Sequence, residues 1–281
     1  MIYPKRSLDP IEIARHYDEL DRFYREVWGE HVHHGLWLTG DEPPDLAVRQ
    51  LVDRVAEHAH IAPGEAVCDV GCGYGATARQ LATDYHATVT ALTLSPAQHR
   101  YACAQHPGTD NPTYLLRDWL DNDLPTASFD AVISIECISH VPDKAAFFRE
   151  AFRVLKPGGR LSLCAWLAYE HPEAWHIHHL LEPICREGRL PSLATTSEYL
   201  DLMTAAGFQN GTAEDLSRRV RHTWTICFLR VLRGLVTQPH YLRYLLDARQ
   251  PDRVFLLTLP RLWLGFRTGA LRYGHFTAHK P

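Results

Sequence analysis

The sequence predicts an α/β fold, a mostly parallel sheet clad in helices with a helical cap over one edge, and three observations predict it. Short apolar runs alternate with amphipathic helical segments between residues 66 and 166. The first of those runs passes straight into a glycine-rich turn, and beyond residue 166 the periodicity becomes mostly helical. With 281 residues, 46% of them apolar, the chain has enough material for one substantial core.

Taken in order, Ile13, Tyr17, Leu20, Tyr24 and Val27 recur at three- and four-residue intervals and draw one stripe on a helix over residues 10–28, with Asp9 as its expected cap. A loop rich in His, Gly and Pro (29–44) leads to a second helix over 45–58. Strands are expected at 66–70, 88–94, 113–116, 129–134 and 160–166, with helices at 76–85, 96–106 and 143–155 between them. Helices follow near 173–187, 196–206, 223–235, 239–247 and 252–266, with two further strands at 212–219 and 270–278. The expected division is a helical lid (1–60), a core (61–168), and the rest of the core with a cap insertion (169–281, the insertion at about 220–268), all one catalytic unit. The helices from both ends of the chain are expected to cap the ligand-binding edge of the sheet.

A formal charge of −4 gives no long-range pull toward nucleic acid or an anionic membrane, although local basic patches remain open. Residues 1–30 hold no apolar targeting core, and no apolar run is long enough to span a bilayer. The seven cysteines show no two-residue spacing of the kind zinc ribbons use. A cytoplasmic protein with free thiols and no integral membrane contact is expected; these patterns leave homo-oligomerisation open.

The strongest local signal is Val67-Cys68-Asp69-Val70-Gly71-Cys72-Gly73-Tyr74-Gly75, strand then glycine turn then helix. Glycines at alternate positions let a backbone approach a ligand closely. The spacing is Gly-x-Gly-x-Gly rather than the dinucleotide Gly-x-Gly-x-x-Gly, which favours a nucleoside without a pyrophosphate. The next strand ends in Thr93-Leu94-Ser95-Pro96-Ala97-Gln98, where Ser95 before Pro96 also reads as a helix cap. Arg117-Asp118-Trp119 follows the third strand, Ser128 to Ser134 makes the fourth, and Leu155-Lys156-Pro157-Gly158-Gly159 turns into the fifth.

This series resembles the Rossmann-like, class I S-adenosylmethionine-dependent methyltransferases, and most closely the γ-tocopherol methyltransferase-like enzymes. Outside the core the resemblance rests on His16-Tyr17-Asp18, on Trp28-Gly29-Glu30-His31-Val32-His33-His34-Gly35, on Leu180 to Cys185 with Leu190-Pro191, and on Ala213 to Arg218. It implies a seven-stranded, mostly parallel sheet and S-adenosylmethionine as cofactor, released as S-adenosylhomocysteine. It assigns Asp69, Gly71, Cys72, Gly73, Thr93, Leu94, Gln98, Asp118, Trp119 and Glu136 to the cofactor, with Thr93 standing where most such enzymes place an acid. The implied partner is a small, largely apolar acceptor methylated at carbon, oxygen or nitrogen, and no nucleic acid.

Alignment carries much of an in-line methyl transfer, and a base is needed only where the acceptor loses a proton. His140, after the fourth strand, is the candidate: a base titrating near neutrality, an acceptor contact, or a packed cap. Tyr17, by the same resemblance, closes over the methionine end of the cofactor. His33, His34 and Trp166 are candidate acceptor contacts, with Trp175, Phe228 and Trp263 as further chamber walls or ordinary core. His176, His178 and His179 lack a carboxylate at ligand spacing, so no catalytic metal is expected. Two neighbouring chemistries remain: a non-methylating cyclase, and cyclopropane synthesis, whose enzymes carry a glutamate where this chain has Ser139.

Overall fold

A computed structural model describes residues 1–4, 10–105, 108–247 and 255–281. The helices α1 (Pro10–Glu19), α2 (Asp21–Val27) and α3 (Pro44–His58) precede the sheet. The core then runs β1 (Ala66–Val70), α4 (Ala76–Asp84), β2 (Thr88–Thr93), α5 (Pro96–Ala104), β3 (Thr113–Leu116), β4 (Phe129–Ile135), α6 (Lys144–Val154) and β5 (Leu155–Ala168). After it come α7 (Ala174–His176), α8 (Glu182–Glu187), α9 (Thr196–Ala205), β6 (Gln209–Asp215), α10 (Ser217–Val220), α11 (His222–Thr237), α12 (Pro239–Leu246), α13 (Phe255–Thr268) and β7 (Leu271–His279).

The seven strands lie in the order β3-β2-β1-β4-β5-β7-β6, with β7 antiparallel to both neighbours and every other pair parallel. Alternation along each strand loads both faces. Val67, Ala131 and Ile133 join one apolar cluster, while Cys68, Val70 and Val132 join the other. The order reverses at β1, so β1 and β4 diverge to leave a crevice at their carboxyl ends.

Three expectations need correction. The stripe over 10–28 is two helices, because Leu20 leaves helical torsions (φ −95°, ψ 5°) and α2 restarts after it. The strand expected at 212–219 stops at Asp215: its Oδ1 accepts the Ser217 N–H at 2.8 Å and starts the turn of α10. The Lys156 to Gly159 turn belongs to β5 itself, where the pairing shifts from Phe129 opposite Leu155 to Ala131 opposite Arg160. The Asp9 cap, His106 and residues 252–254 of the last expected helix lie outside the described residues.

Candidate active site

The carboxyl ends of β1, β2 and β4 open onto one cavity with two unlike walls. Gly71, Gly73, Thr93, Leu94, Gln98, Asp118 and Trp119 form the first, at the strand ends. The second comes from both ends of the chain: Tyr17, Trp28 and His34 on one side, Trp166, Leu190, Trp224 and Leu262 on the other.

The first wall is set by backbone. Gly71 and Cys72 donate to the Leu92 carbonyl at 2.9 and 2.8 Å, which pins the turn to β2. Gly71 has φ +81°, and a Cβ there would fall 2.3 Å from Cys137 Cβ, so packing alone demands glycine. At Gly73 (φ +54°) a Cβ would meet nothing nearer than Gln98 Nε2 at 4.0 Å, so its hydrogen keeps space open on the cavity side. Thr93 Oγ1 donates to Gln98 Oε1 at 2.9 Å, and Ser95 Oγ accepts the Gln98 N–H at 3.1 Å as the cap of α5. Asp118 Oδ1 accepts the Leu120 N–H at 2.9 Å, which leaves its other oxygen available at the cavity. Trp119 is locked by donation from Nε1 to the Phe147 carbonyl at 3.2 Å.

Two expected members of this wall do not reach it. Asp69 is buried under the turn, away from the lining, with Oδ2 unpartnered and its carboxyl pushed by burial to about 7. Cys72 also lies outside the lining: it follows β1 past Gly71, whose positive φ breaks the strand alternation, and its side chain joins the core cluster of Val67.

Tyr17 and His140 join the two walls. His140 Nδ1 faces the Arg189 carbonyl at 3.2 Å, and a carbonyl only accepts, so Nδ1 carries the hydrogen and Nε2 accepts from Tyr17 Oη at 2.9 Å. Burial, together with His16 and Lys144 nearby, brings this imidazole down to about 4 against the backbone bond to Arg189. That corrects the expectation of titration near neutrality: His140 stays neutral throughout the physiological range. Burial likewise raises the Tyr17 phenol, so it remains a donor. The adjacent Asp18 accepts from Ser95 Oγ and from the Ala97 N–H, tying α1 to the start of α5.

At the foot of the second wall sits Glu136, with φ +64°. Its Oε1 accepts from the His34 N–H (2.7 Å), His34 Nδ1 (2.8 Å) and Tyr273 Oη (2.8 Å), and its Oε2 from Trp166 Nε1 (2.8 Å). Burial pushes this carboxyl up, but the interactions with His34 and His33 outweigh it and hold it at about 2. The carboxylate assigned to the cofactor is therefore spent on the protein, and it fixes His34 and Trp166 in place. His33 faces away from this cavity; its Nδ1 donates to the His34 carbonyl at 2.8 Å, and desolvation lowers its pKa. Among the proposed aromatic walls only Trp166 lines the cavity, because Trp175, Phe228 and Trp263 sit on other faces of their helices. Sequence reading missed Trp224, which stands edge-on to Trp166 at 5.5 Å and to His34 at 5.2 Å. Its place on an amphipathic helix beside Thr223 was the available signal. Among the described residues no three His, Cys, Asp or Glu side chains gather in a group able to hold a metal.

A nucleoside-sized crevice over a glycine turn at the switch point of this sheet defines the class I, Rossmann-like methyltransferase fold. Residues 5–228 match the family described as mycolic acid cyclopropane synthetase, and the chain belongs to that family of S-adenosylmethionine-dependent enzymes. It is similar to the 27-O-demethylrifamycin SV methyltransferase of Amycolatopsis mediterranei (strain S699), 31% identical over 97% of this chain and 98% of that one. It is also similar to the chloroplastic tocopherol O-methyltransferase of Arabidopsis thaliana, 29% identical over 96% of this chain and 82% of that one. Mycolic acid cyclopropane synthase CmaA1, crystallised with SAH and CTAB, superposes with a TM-score of 0.82 at 22% identity, covering 98% of this chain and 100% of that one. The chain is an S-adenosylmethionine-dependent methyltransferase acting on a small molecule.

Proposed function

We propose that the chain methylates carbon, oxygen or nitrogen of a largely apolar natural product, with prenylated phenols and indoles as the classes to try first. The observation that carries this reading is the second wall: three tryptophans with Leu190 and Leu262, meeting a neutral His140 hydrogen-bonded to Tyr17. The acceptors in the relatives' names, tocopherol and demethylrifamycin, support it.

On this reading Gly71 and Gly73 bring the backbone against the cofactor, and the Thr93–Gln98 pair takes the ribose in place of the usual acid. Asp118 accepts the adenine amino group, Leu94 and Trp119 flank the ring, and Tyr17 closes the methionine end. The open space at Gly73 and the spare oxygen of Asp118 fit such a guest. Bound S-adenosylmethionine supplies an electrophilic methyl group. The residues of this chain align the acceptor against Trp166 and Trp224, exclude water, and move one proton. His140 Nε2 would take the proton that an acceptor oxygen or nitrogen loses, once the Tyr17 hydroxyl turns its hydrogen bond away from that atom. The segments 1–60 and about 220–268 act as lid and cap over the core as one unit. Seven free cysteines support a cytoplasmic setting.

The test is incubation with methyl-labelled cofactor and a panel of prenylated phenols, indoles and sterols. One labelled product formed with an equal amount of S-adenosylhomocysteine is expected. Acceptor conversion without label transfer would replace this reading with the cyclase.

A further inference from the structure

Away from the active site, a second cavity is lined by Arg218, Arg219, Arg221 and Arg267 together with Trp37 and Trp263. Among the described residues no carboxylate lines it. The nearest acid in sequence, Glu42, is consumed by the N–H groups of Leu38, Thr39 and Gly40 at 2.8, 2.7 and 3.0 Å. Other arginines of the chain, including Arg49, Arg54, Arg79, Arg160 and Arg272, each pair with a carboxylate. These four do not, among the described residues, although the chain has 33 acidic residues and a formal charge of −4. Arg267 rests on the Trp263 ring at 4.2 Å and is otherwise exposed.

An apolar stripe leaves this cavity along α11, and α13 adds one exposed leucine beside it. On α11 it runs from the lining residue Thr225 through Leu229 (58% exposed) and Leu232 to Val236 (87% exposed), at steps of three and four. On α13 Leu264 (40% exposed) pairs with Arg267. Exposed leucine and valine on α11 and α13, beside Arg218 and Arg219 of α10, Arg221 at the start of α11 and Arg267 of α13, make an amphipathic surface, basic at one end and apolar along α11. The opposite faces of the same helices line the active-site cavity through Trp224, Thr258 and Leu262.

We infer that this face docks peripherally on an anionic lipid surface, with the four arginines taking headgroup phosphates and Leu229, Val236 and Leu264 entering the acyl boundary. Charge complementarity selects this occupant. An anionic bilayer meets both the arginines and the apolar stripe, whereas a free phosphate leaves the stripe uncovered. Each arginine near such a surface contributes about fivefold to partitioning.

The experiment is co-sedimentation of the full chain with vesicles of phosphatidylcholine and phosphatidylglycerol (3:1) and of phosphatidylcholine alone. Binding to the first and not the second is expected. Partitioning should drop about 100-fold in Arg218→Gln/Arg221→Gln/Arg267→Gln, and about tenfold in Leu229→Ser/Val236→Ser. Calorimetric affinity for S-adenosylhomocysteine should be unchanged in both, which separates this outcome from misfolding and from any fault in the methyl-transfer reading. No vesicle binding, equal binding to both vesicle types, or saturable binding of inorganic phosphate alone would each overturn the inference. So would a stable dimer in sedimentation equilibrium that the Leu229→Ser/Val236→Ser change dissolves.

Discussion

The two walls of the cavity are built in opposite ways. The wall at the strand ends is a product of local grammar: glycine turn, capped helix and short loop, each written within ten or so consecutive residues. The facing wall draws His34, Glu136, Trp166, Trp224 and Tyr273 from five separate segments; the Glu136 carboxylate binds His34, Trp166 and Tyr273, and Trp224 packs edge-on against His34 and Trp166. The first wall therefore rests on its backbone and on a few side chains fixed by neighbours in sequence, while the second depends on buried polar contacts between distant segments.

Several substitutions test that contrast. The largest effect is expected from Gly73→Val, whose side chain would fill the open space: calorimetric affinity for S-adenosylhomocysteine should fall by more than ~100-fold. A matching loss of thermal stability would show that the position serves packing instead. His140→Ala should lower turnover about 100-fold with cofactor affinity within about threefold, as measured by steady-state kinetics and calorimetry. Glu136→Ala leaves His34, Trp166 and Tyr273 donors unpaired at once and should cost roughly 3 kcal/mol or more in urea unfolding; an unchanged midpoint would refute the idea that this carboxylate organises the wall. Trp224→Leu should raise acceptor KM about tenfold while leaving cofactor affinity alone.

The smallest effect is the pH dependence. His140 and His275 are held by burial at about 4, below the unfolded value near 6.5, so these two sites bind more protons in the unfolded chain between those limits, offset in part by Asp69, which burial raises to about 7. Stability should fall as pH drops from about 6.5 to 4. Glu136, held at about 2, adds a further loss below about 4.5 as its carboxylate is titrated. Equilibrium unfolding across this range should show both steps, and a flat profile above pH 4.5 would contradict the buried neutral imidazoles.

The sheet and the first wall were legible because period and turn chemistry act over a few residues. Thr93, Gln98 and Asp118 stand where their motifs placed them, and Ser95 caps α5 as expected. Asp69 and Cys72 were assigned from motif membership, yet alternation along β1 turns Asp69 away from the cavity and the positive φ of Gly71 turns Cys72 into the core. The second wall was half legible. His34 and Trp166 reach it, but neighbours His33 and Trp263 do not, since facing is decided by helix and loop geometry that composition does not encode. Glu136 was placed in the site for the wrong partner: its four hydrogen bonds come from residues between 30 and 137 positions away.

One consequence follows from two adjacent residues of α1. Tyr17 grips the histidine on the acceptor side, while Asp18 holds the N-terminus of the helix after β2. One turn of α1 thus touches both walls, so a shift of that helix would disturb the hydrogen bond to His140 and the start of α5 together.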